Sequence, residues 1–250
     1  MQLAKDLLDT IYGCLIGGAI GDALGAPVEG WCFSDIRSKY GKVDHFMPFN
    51  KEYSNSVPGS ITDDTTLRHY LCLAIVMKGG RVTPDDFAKI WLEKLNEKRF
   101  WINEKIILKK LQAGMNPWDT GRGSIPAGCA TMAIAPIGIV NIGNPAQAYQ
   151  DAFNIASLNQ DGVNRDAAAT LAAAVAYALL PEANVSGVLE TMLNYSSYIV
   201  RRSIVLTMDL AHDSSNIDSF VEKFYEKMLD WTWPSPPDRE WNKNYYHSCS

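Results

Sequence analysis

The residues best suited to chemistry lie in the acidic segment Thr62-Asp63-Asp64-Thr65. On local grounds two explanations fit it. Thr62 can cap a helix whose first turn carries Asp63 and Asp64, because the helix dipole stabilises carboxylates there. Alternatively, adjacent carboxylates and threonine oxygens supply the oxygen-only ligands that Mg²⁺, Mn²⁺ or Ca²⁺ prefer, and a bound cation would remove their mutual repulsion. The segment therefore predicts a helix start or half of a divalent-metal site.

Glu29 is a second candidate, because it follows the glycine-rich stretch Gly21 to Val28, where a helix gives way to a loop. Its carboxylate could lie over a pocket formed by a bare glycine face. A glutamate in a loop is more often solvated. Glu29 thus gains functional meaning only in combination with other residues.

A third candidate is the loop from Gly121 to Met132, in which glycines at positions 121, 123 and 128 allow backbone amides to approach a ligand. A helix could begin after this loop, which suits phosphate or another anion. The segment lacks the lysine and the preceding strand of a nucleotide-binding P-loop. We therefore do not expect a P-loop nucleotide site.

Helical signals dominate the elements that must position these residues, and convincing period-2 strands are absent. The first helix is predicted over Leu3–Leu24, with glycines at 13, 17 and 21 forming a ridge that predicts very close packing by another backbone or a ligand. The segment Trp231–Pro237 is predicted to be non-helical because of its three prolines. Further helices are predicted at Asp63–Met77, from a cap at Thr83 to about Glu97, at Ile102–Gly114, from Asn144 to about Leu158, at Asp166–Leu180, from a cap at Ser186 to about Tyr198, and near Arg202–His212 and Ile217–Leu229. The pattern predicts an all-α single domain, in which the alanine-rich helix Asp166–Leu180 is central.

Composition narrows the classes of function. The 250 residues are 47% hydrophobic and 20% charged, which is typical of a globular protein, and the net charge of -5 is spread without a basic run, so nucleic acid is not expected as a partner. Five widely spaced cysteines predict free thiols in a reducing cytosol. The N-terminus does not match a signal peptide. The apolar stretch Ile11–Ala26 is judged too short and too rich in glycine to cross a membrane, so we expect a cytoplasmic protein.

Three segments together resemble the ADP-ribosylglycohydrolase family, which includes the dinitrogenase-reductase-activating glycohydrolases. They are Gly17 to Glu29, Thr62 to Thr65, and Gly128 to Gly138, and they match that family in order and spacing as well as in residues. The resemblance extends from about Tyr12 to at least Leu180. It implies an all-α fold with a cleft for two Mg²⁺ or Mn²⁺ ions, and hydrolysis of an N- or O-glycosidic bond at the ribose C1″ of ADP-ribose or a related ribosyl compound.

The resemblance also assigns residues. It implies that Thr62, Asp63 and Asp64 are the first set of metal ligands and that Glu29 is the glutamate near the scissile bond. Asp63 or Glu29 is expected to act as the base. The segment Gly123 to Met132 corresponds to the loop that contacts the ribose and diphosphate. Its predicted substrate-binding residues are Gly123, Ser124, Gly128, Cys129 and Met132.

Three departures from the family pattern qualify these expectations. Cys129 and Ala133 stand where the family usually has Asn and Arg, so the diphosphate and distal-ribose contacts should differ. The family's histidine before the alanine-rich helix is absent, and Asn159 or Asp161 is expected to substitute for it. The late Asp-x-Asp-Thr motif is also absent. We therefore expect the domain over residues 1–250 to be incomplete at its C-terminus, with a doubtful second metal ion and a groove open to self-association.

Three functions follow from these observations. The first is a metal-dependent hydrolase acting on a small-molecule or protein-linked ADP-ribosyl or ribosyl substrate. The second is a catalytically weak family member with a binding or structural role. The third, which ranks last, is a helical interaction protein in which the three motifs are only caps and packing glycines.

Overall fold

The computed structural model describes residues 2–31, 33–51 and 54–232, and in this part of the chain α-helices dominate. The helices are α1 (Gln2–Gly25), α2 (Phe33–Tyr40), α3 (Asp63–Lys78), α4 (Pro84–Lys94), α5 (Ile102–Gln112), α6 (Ala135–Val140), α7 (Pro145–Ala156), α8 (Val163–Ala178), α9 (Val185–Asn194), α10 (Tyr198–His212) and α11 (Ile217–Thr232). Two short strands, β1 (Asn50–Lys51) and β2 (Ser54–Asn55), pair antiparallel. The predicted all-α class is confirmed.

Local signals in the sequence explain where several helices begin. Thr62 caps α3, since its side chain accepts a hydrogen bond from the Asp64 amide, so the helix-start interpretation of this segment is confirmed. At the start of α4, the Asp86 carboxylate accepts bonds from the backbone amide and hydroxyl of Thr83. The cap of α9 was predicted at Ser186 but is Asn184, whose side chain accepts from the amide of Gly187. Asparagine is an equally good cap, and the helix begins two residues earlier.

Helix α8 lies at the centre of the molecule, as its alanines predict. Its buried residues Ala168, Ala169, Ala172, Ala173 and Ala176 are fully shielded from solvent. Helices α6, α7 and α9 pack against it. On α6, a Cβ at Gly138 would overlap the Ala172 carbonyl oxygen and the Val175 side chain. Small side chains on both partners therefore let these backbones approach closely.

The second half of the core joins α3 and α4 to this centre. Its largest fully buried side chains include Leu67 and Leu71 of α3, Trp91 of α4 and Ile155 of α7. The guanidinium of Arg81 also forms a bidentate ion pair with Asp151, at 2.7 Å for each nitrogen to oxygen distance. This packing joins α3, α4 and the segment between them to α7.

Helix α1 differs from the expectation in two ways. Over the described residues, a Cβ added at Gly13, Gly17 or Gly21 would meet no atom within 4 Å, so the predicted close packing on that ridge is not found. The helical segment Asp6–Val28, which extends the stretch Ile11–Ala26 at both ends, is long and apolar enough to cross a membrane by length and composition, so the expectation drawn from Ile11–Ala26 does not hold. A core helix of a soluble protein or a leader sequence can have the same length and composition. In Asp6–Val28, 11% of the most apolar stretch is buried.

The end of α11 corrects one further expectation. Trp231 and Thr232 are helical, although the segment Trp231–Pro237 was predicted to be non-helical. A proline disfavours the helical conformation at itself and at the residue before it, and both helical residues lie ahead of that pair. Residues 233–237 lie outside the described part of the chain.

Candidate active site

The acidic segment at the start of α3 is held in place by Asp22, a residue near the end of α1. The Asp22 carboxylate accepts hydrogen bonds from the Thr62 amide at 3.0 Å, the Thr65 amide at 3.1 Å and the Thr62 hydroxyl at 2.8 Å. The Thr62 hydroxyl also lies 2.9 Å from an Asp64 carboxylate oxygen. Asp22 thus joins the glycine-rich helix to the predicted metal ligands.

Negative charge is concentrated around Asp64. Burial is the largest cause that raises the pKa of its carboxyl above the ordinary value, the Thr62 hydroxyl opposes the shift, and the carboxylates of Asp22 and Glu29 raise it further. Glu29 is itself exposed and follows the short 3₁₀ turn Ala26–Val28. The structure therefore brings Glu29 and Asp22 each within electrostatic reach of Asp64, as a site for a cation or a polarised water requires.

Asp63 belongs to a second group, beside Glu104 of α5 and Cys129 of the glycine-rich loop. Glu104 is fully buried, and its carboxylate lies beside the Cys129 thiol and the Asn103 side chain. Burial raises the pKa of Glu104 to about 7, the neighbouring Cys129 thiol lowers it, and Asp63 raises it. The pKa of Cys129 is raised by burial and by the carboxylates of Glu104 and Asp63. Cys129 is therefore an unreactive thiol at neutral pH.

The residues at the start of α3 fit a hard divalent cation by their chemistry, since every donor is a hydroxyl or carboxylate oxygen. In the described part of the chain, however, no group of three or more His, Cys, Asp or Glu side chains is arranged to hold a metal ion. The oxygens of Asp22 are also engaged by the two amides and the hydroxyl. The described residues thus supply donors from one side only.

The glycine-rich loop is tied to the turn that follows α7. Gly121 donates its amide to the Ser157 carbonyl oxygen at 2.9 Å, and the Thr120 hydroxyl donates to Leu158 at 2.6 Å. A Cβ at Gly121 would overlap the carbonyl oxygens of Ser157 and Gln160, so glycine is required there. The Gln160 side chain accepts from the Ala127 amide at 3.3 Å. The turn therefore determines the shape of the loop.

The predicted loop residues lie on this framework. Gly123 has a φ of +67°, in the left-handed region, and the amide of Met132 donates to the Gly128 carbonyl oxygen at 3.0 Å. The Ser124 hydroxyl is buried and makes no hydrogen bond within the described residues. Cys129 faces Asp63 and Glu104, as described above. The structure thus brings the loop and the start of α3 together through Cys129.

Asn159 and Asp161, the expected substitutes for the family's histidine, are placed differently from each other. Asn159 is 3% exposed and its carbonyl oxygen accepts from the buried Asn103 side chain at 3.2 Å, so it lies behind the loop. Asn103 also accepts from the Ile125 amide at 3.1 Å. Asp161 is exposed and its carboxylate accepts from the amide of the next residue, Gly162. Of the two, Asp161 is the one open to solvent.

Sequence reasoning missed four residues of this region: Asp22, Asn103, Glu104 and Arg68, whose guanidinium donates to the Met132 carbonyl oxygen of the loop. Asp22 had a signal, because it is an acid inside a glycine-rich helix end. Arg68 had a weaker signal, because it is a cationic residue next to the apolar positions of α3. Asn103 and Glu104 had none, since polar residues in the first turn of a helix are usually solvated.

Comparison with known proteins identifies the family. The family model described as ADP-ribosylglycohydrolase matches residues 3–241. The chain therefore belongs to the ADP-ribosylglycohydrolase family, a family of glycosidases. The resemblance in the sequence rested on three segments within this match, which are Gly17 to Glu29, Thr62 to Thr65 and Gly128 to Gly138.

Three relatives show the same relationship at lower coverage. An uncharacterized protein of Archaeoglobus fulgidus is 35% identical over 130 residues, which is 51% of this chain and 41% of that protein. The uncharacterized protein YegU of Escherichia coli K12 is 28% identical over 161 residues, 60% of this chain and 47% of YegU. The ADP-ribosyl-[dinitrogen reductase] glycohydrolase of Rhodospirillum rubrum is 30% identical over 146 residues, 55% of this chain and 47% of that protein. The chain thus spans less than half the length of each.

Proposed function

We propose that this chain forms part of a metal-dependent hydrolase that cleaves an N- or O-glycosidic bond to ADP-ribose or a related ribosyl compound. The observation that carries the proposal is the meeting of the acidic start of α3 with the glycine-rich loop, where Asp63 lies within electrostatic reach of Cys129. Family membership supports the reaction class. The name of the Rhodospirillum rubrum relative supports an ADP-ribosylated substrate.

The proposed chemistry follows from what a ribosyl transition state requires. Departure from the anomeric carbon develops oxocarbenium character, so the site must hold the ribose rigidly and deliver a water molecule to that carbon. Glu29 is exposed beside Asp64, and we assign it or Asp63 as the base that takes the proton from the water. The left-handed Gly123 and the buried hydroxyl of Ser124 belong to the loop that we assign to the ribose and diphosphate.

We propose Mg²⁺ or Mn²⁺ as the cofactor, with Thr62, Asp63 and Asp64 as ligands. The carboxylates of Asp22 and Glu29 near Asp64 support this assignment, because a bound cation would relieve the repulsion that they exert on the Asp64 carboxylate. When bound, such an ion lowers the pKa of a coordinated water and stabilises negative charge.

The substrate need not be complete ADP-ribose. Cys129 is buried against Glu104, and Ala133 is also buried, so neither offers the polar contacts that Asn and Arg would offer to a diphosphate. We propose that Gly123, Ser124, Gly128 and Met132 contact the substrate through the loop backbone. The exposed Asp161, rather than Asn159, is our candidate for the polar contact next to it.

We further propose that the described residues form one cytoplasmic domain that self-associates. Along α1, Leu8, Tyr12, Ile16 and Ile20 lie on one helical face and are 64%, 65%, 39% and 44% exposed. A stripe of this kind favours burial against another surface. Analytical ultracentrifugation tests the proposal, with a Leu8→Glu, Ile16→Glu double variant expected to remain monomeric. A wild-type protein that is monomeric at high concentration would contradict it.

Metal titration and product analysis test the proposed activity. Isothermal titration with Mn²⁺ should show binding by the wild-type protein and its loss in Asp63→Ala and Asp64→Ala, with the exposed Asp9→Ala as the matched control. ADP-ribosylated arginine and serine peptides, incubated with Mn²⁺, should release ADP-ribose detectable by mass spectrometry. Absence of both metal binding and product would reject the hydrolase.

A second candidate is a weakly active family member that binds ADP-ribose without turning it over. The observation that favours it is that the sequence lacks the late Asp-x-Asp-Thr motif, which the family resemblance implies as the second set of metal ligands. Thermal stabilisation by ADP-ribose, with no product from either peptide, would support this candidate against the hydrolase.

A further inference from the structure

The hydroxyl group of Thr62 lies between two carboxylates. Its oxygen is 2.8 Å from Asp22 Oδ1 and 2.9 Å from Asp64 Oδ2, and it accepts from the Asp64 amide at 3.3 Å. A threonine hydroxyl carries a single hydrogen. It can therefore donate to only one of the two carboxylates at a time, and the choice determines which carboxylate is left with a free lone pair.

The two carboxylates are not equivalent acceptors. Asp22 also accepts from the amides of Thr62 and Thr65, at 3.0 Å and 3.1 Å, so three donors from the start of α3 fix its position. Asp64 sits on α3 itself, with its pKa raised mainly by burial. The position of Asp22 is thus set by backbone amides. The Asp64 oxygen instead contacts the Thr62 hydroxyl, which can rotate away from it.

A hydroxyl oxygen that coordinates a cation must point its lone pair at the ion and its hydrogen elsewhere. For Thr62 the anionic acceptor fixed on the α1 side is Asp22. We propose that Asp22 is a positioning residue that takes the hydrogen of the Thr62 hydroxyl, and so turns the Thr62 oxygen and releases the Asp64 oxygen towards a divalent cation. This inference rests on the metal-dependent function proposed above and adds a residue outside the ligand set.

Asp22 acts through Thr62 in this arrangement and is not itself a ligand. Both of its oxygens already accept hydrogen bonds, two of them from backbone amides. Direct coordination would compete with these three donors for the carboxylate lone pairs at a part-buried helix start, where a weakened hydrogen bond is costly. The positioning role and the ligand role therefore predict different coupling between Asp22 and Thr62.

Mn²⁺ binding, followed by electron paramagnetic resonance of the free ion, measures this coupling. The variants are Asp22→Asn, Thr62→Val and the double variant, with Thr62→Ser as the conservative replacement and Asp9→Asn as the charge-matched control on α1. Circular dichroism and thermal melts of each variant establish that α3 is intact. The measurement does not depend on any substrate or on turnover.

We expect Asp22→Asn and Thr62→Val each to weaken Mn²⁺ binding at least tenfold. The double variant should bind Mn²⁺ as tightly as the single variant with the lower affinity. Thr62→Ser and Asp9→Asn should stay within about threefold of the wild type. Additive losses would overturn the inference, because Asp22 would then act independently of the hydroxyl. So would wild-type affinity in Asp22→Asn.

Two other results have distinct meanings. If the wild-type protein binds no Mn²⁺ at millimolar concentration, the proposed metal dependence fails together with this inference. If Asp22→Asn fails to fold, the comparison of Thr62→Val with Thr62→Ser decides, since equal binding by these two would show that the hydroxyl is not used and would overturn the inference alone.

Discussion

The guanidinium group of Arg68 donates two hydrogen bonds to the carbonyl oxygen of Met132, from Nε at 3.3 Å and from Nη2 at 2.8 Å. Arg68 lies on α3, one turn after Asp64, and Met132 lies at the end of the glycine-rich loop. The same guanidinium lies against Gly18 of α1, where a Cβ would overlap it. One side chain thus connects the three segments that define the family resemblance.

Replacement of Arg68 by methionine should loosen this connection. The Met132 carbonyl oxygen would lose both donors, and we expect a loss of about 1 to 3 kcal/mol in the free energy of unfolding, measured by urea denaturation. The exposed Arg99→Met is the matched control and should change stability by less than about 0.5 kcal/mol. Equal effects of the two substitutions would show that the contact does not contribute.

Gly18→Ala tests the contact from the other side. Alanine favours a helix by about 1 kcal/mol over glycine, so Gly17→Ala, where an added Cβ meets nothing within 4 Å of the described structure, should stabilise the protein. At position 18 the methyl group displaces the Arg68 guanidinium, and we expect destabilisation. In an Arg68→Met background the same substitution should become stabilising. Thermal melts of the wild type, Gly18→Ala, Arg68→Met and the double variant give the coupling between positions 18 and 68. A stabilising effect of Gly18→Ala in the wild type would contradict the prediction.

The buried acid Glu104 should make stability depend on pH. Its pKa is raised in the folded protein from 4.5 to about 7. Folding therefore favours the protonated form, and the associated stability is present below pH 4.5 and is lost as the pH rises towards 7. At about 1.4 kcal/mol per pKa unit, the loss is on the order of 3 kcal/mol.

Glu104→Gln removes the titratable carboxyl group. The free energy of unfolding of the variant should therefore rise relative to that of the wild type as the pH increases from about 5 to 7. Urea denaturation in the presence of EDTA, at several pH values, measures the difference. The exposed Glu190→Gln should follow the wild-type profile. Parallel profiles for wild type and Glu104→Gln would mean that Glu104 is charged in the folded protein at all these pH values.

Asn103→Ala should destabilise the glycine-rich loop. The substitution leaves the part-buried amide of Ile125 without its acceptor and the carbonyl oxygen of Asn159 without its donor. We expect a loss of about 2 to 4 kcal/mol and faster hydrogen exchange at Ile125. The exposed Asn194→Ala serves as control. Unchanged exchange at Ile125 would show that the loop is held by its other hydrogen bonds.

The sequence predicted those parts of the fold that depend on local rules. The caps at Thr62 and Thr83 and the central alanine-rich helix are confirmed, because capping and small-residue packing can be recognised from neighbouring residues. The short helix α2 was not predicted, and α6 was anticipated only as a helix that could begin after the Gly121–Met132 loop, since eight and six residues carry too little periodic pattern.

The candidate site was predictable where residues form a continuous motif and was missed where distant segments meet. Asp63 and Asp64 are adjacent and follow a recognisable cap. Glu104 looks like any solvated glutamate in a first helical turn, and its burial beside Cys129 depends on how α5 packs against the loop. No local pattern contains that information, so the second carboxylate near Asp63 could be found only in three dimensions.

The attachment of the loop to the turn after α7 also has a kinetic consequence. The hydrogen bonds from Thr120 to Leu158 and from Ala127 to Gln160 join residues 38 and 33 positions apart, and the bond from Asn103 to Asn159 spans 56. None of them can form until α7 has docked, because the entropy of closing such segments must be met before the bonds are made. The glycine-rich loop should therefore be the last part of the site to acquire native order during refolding, well after α3 has its cap.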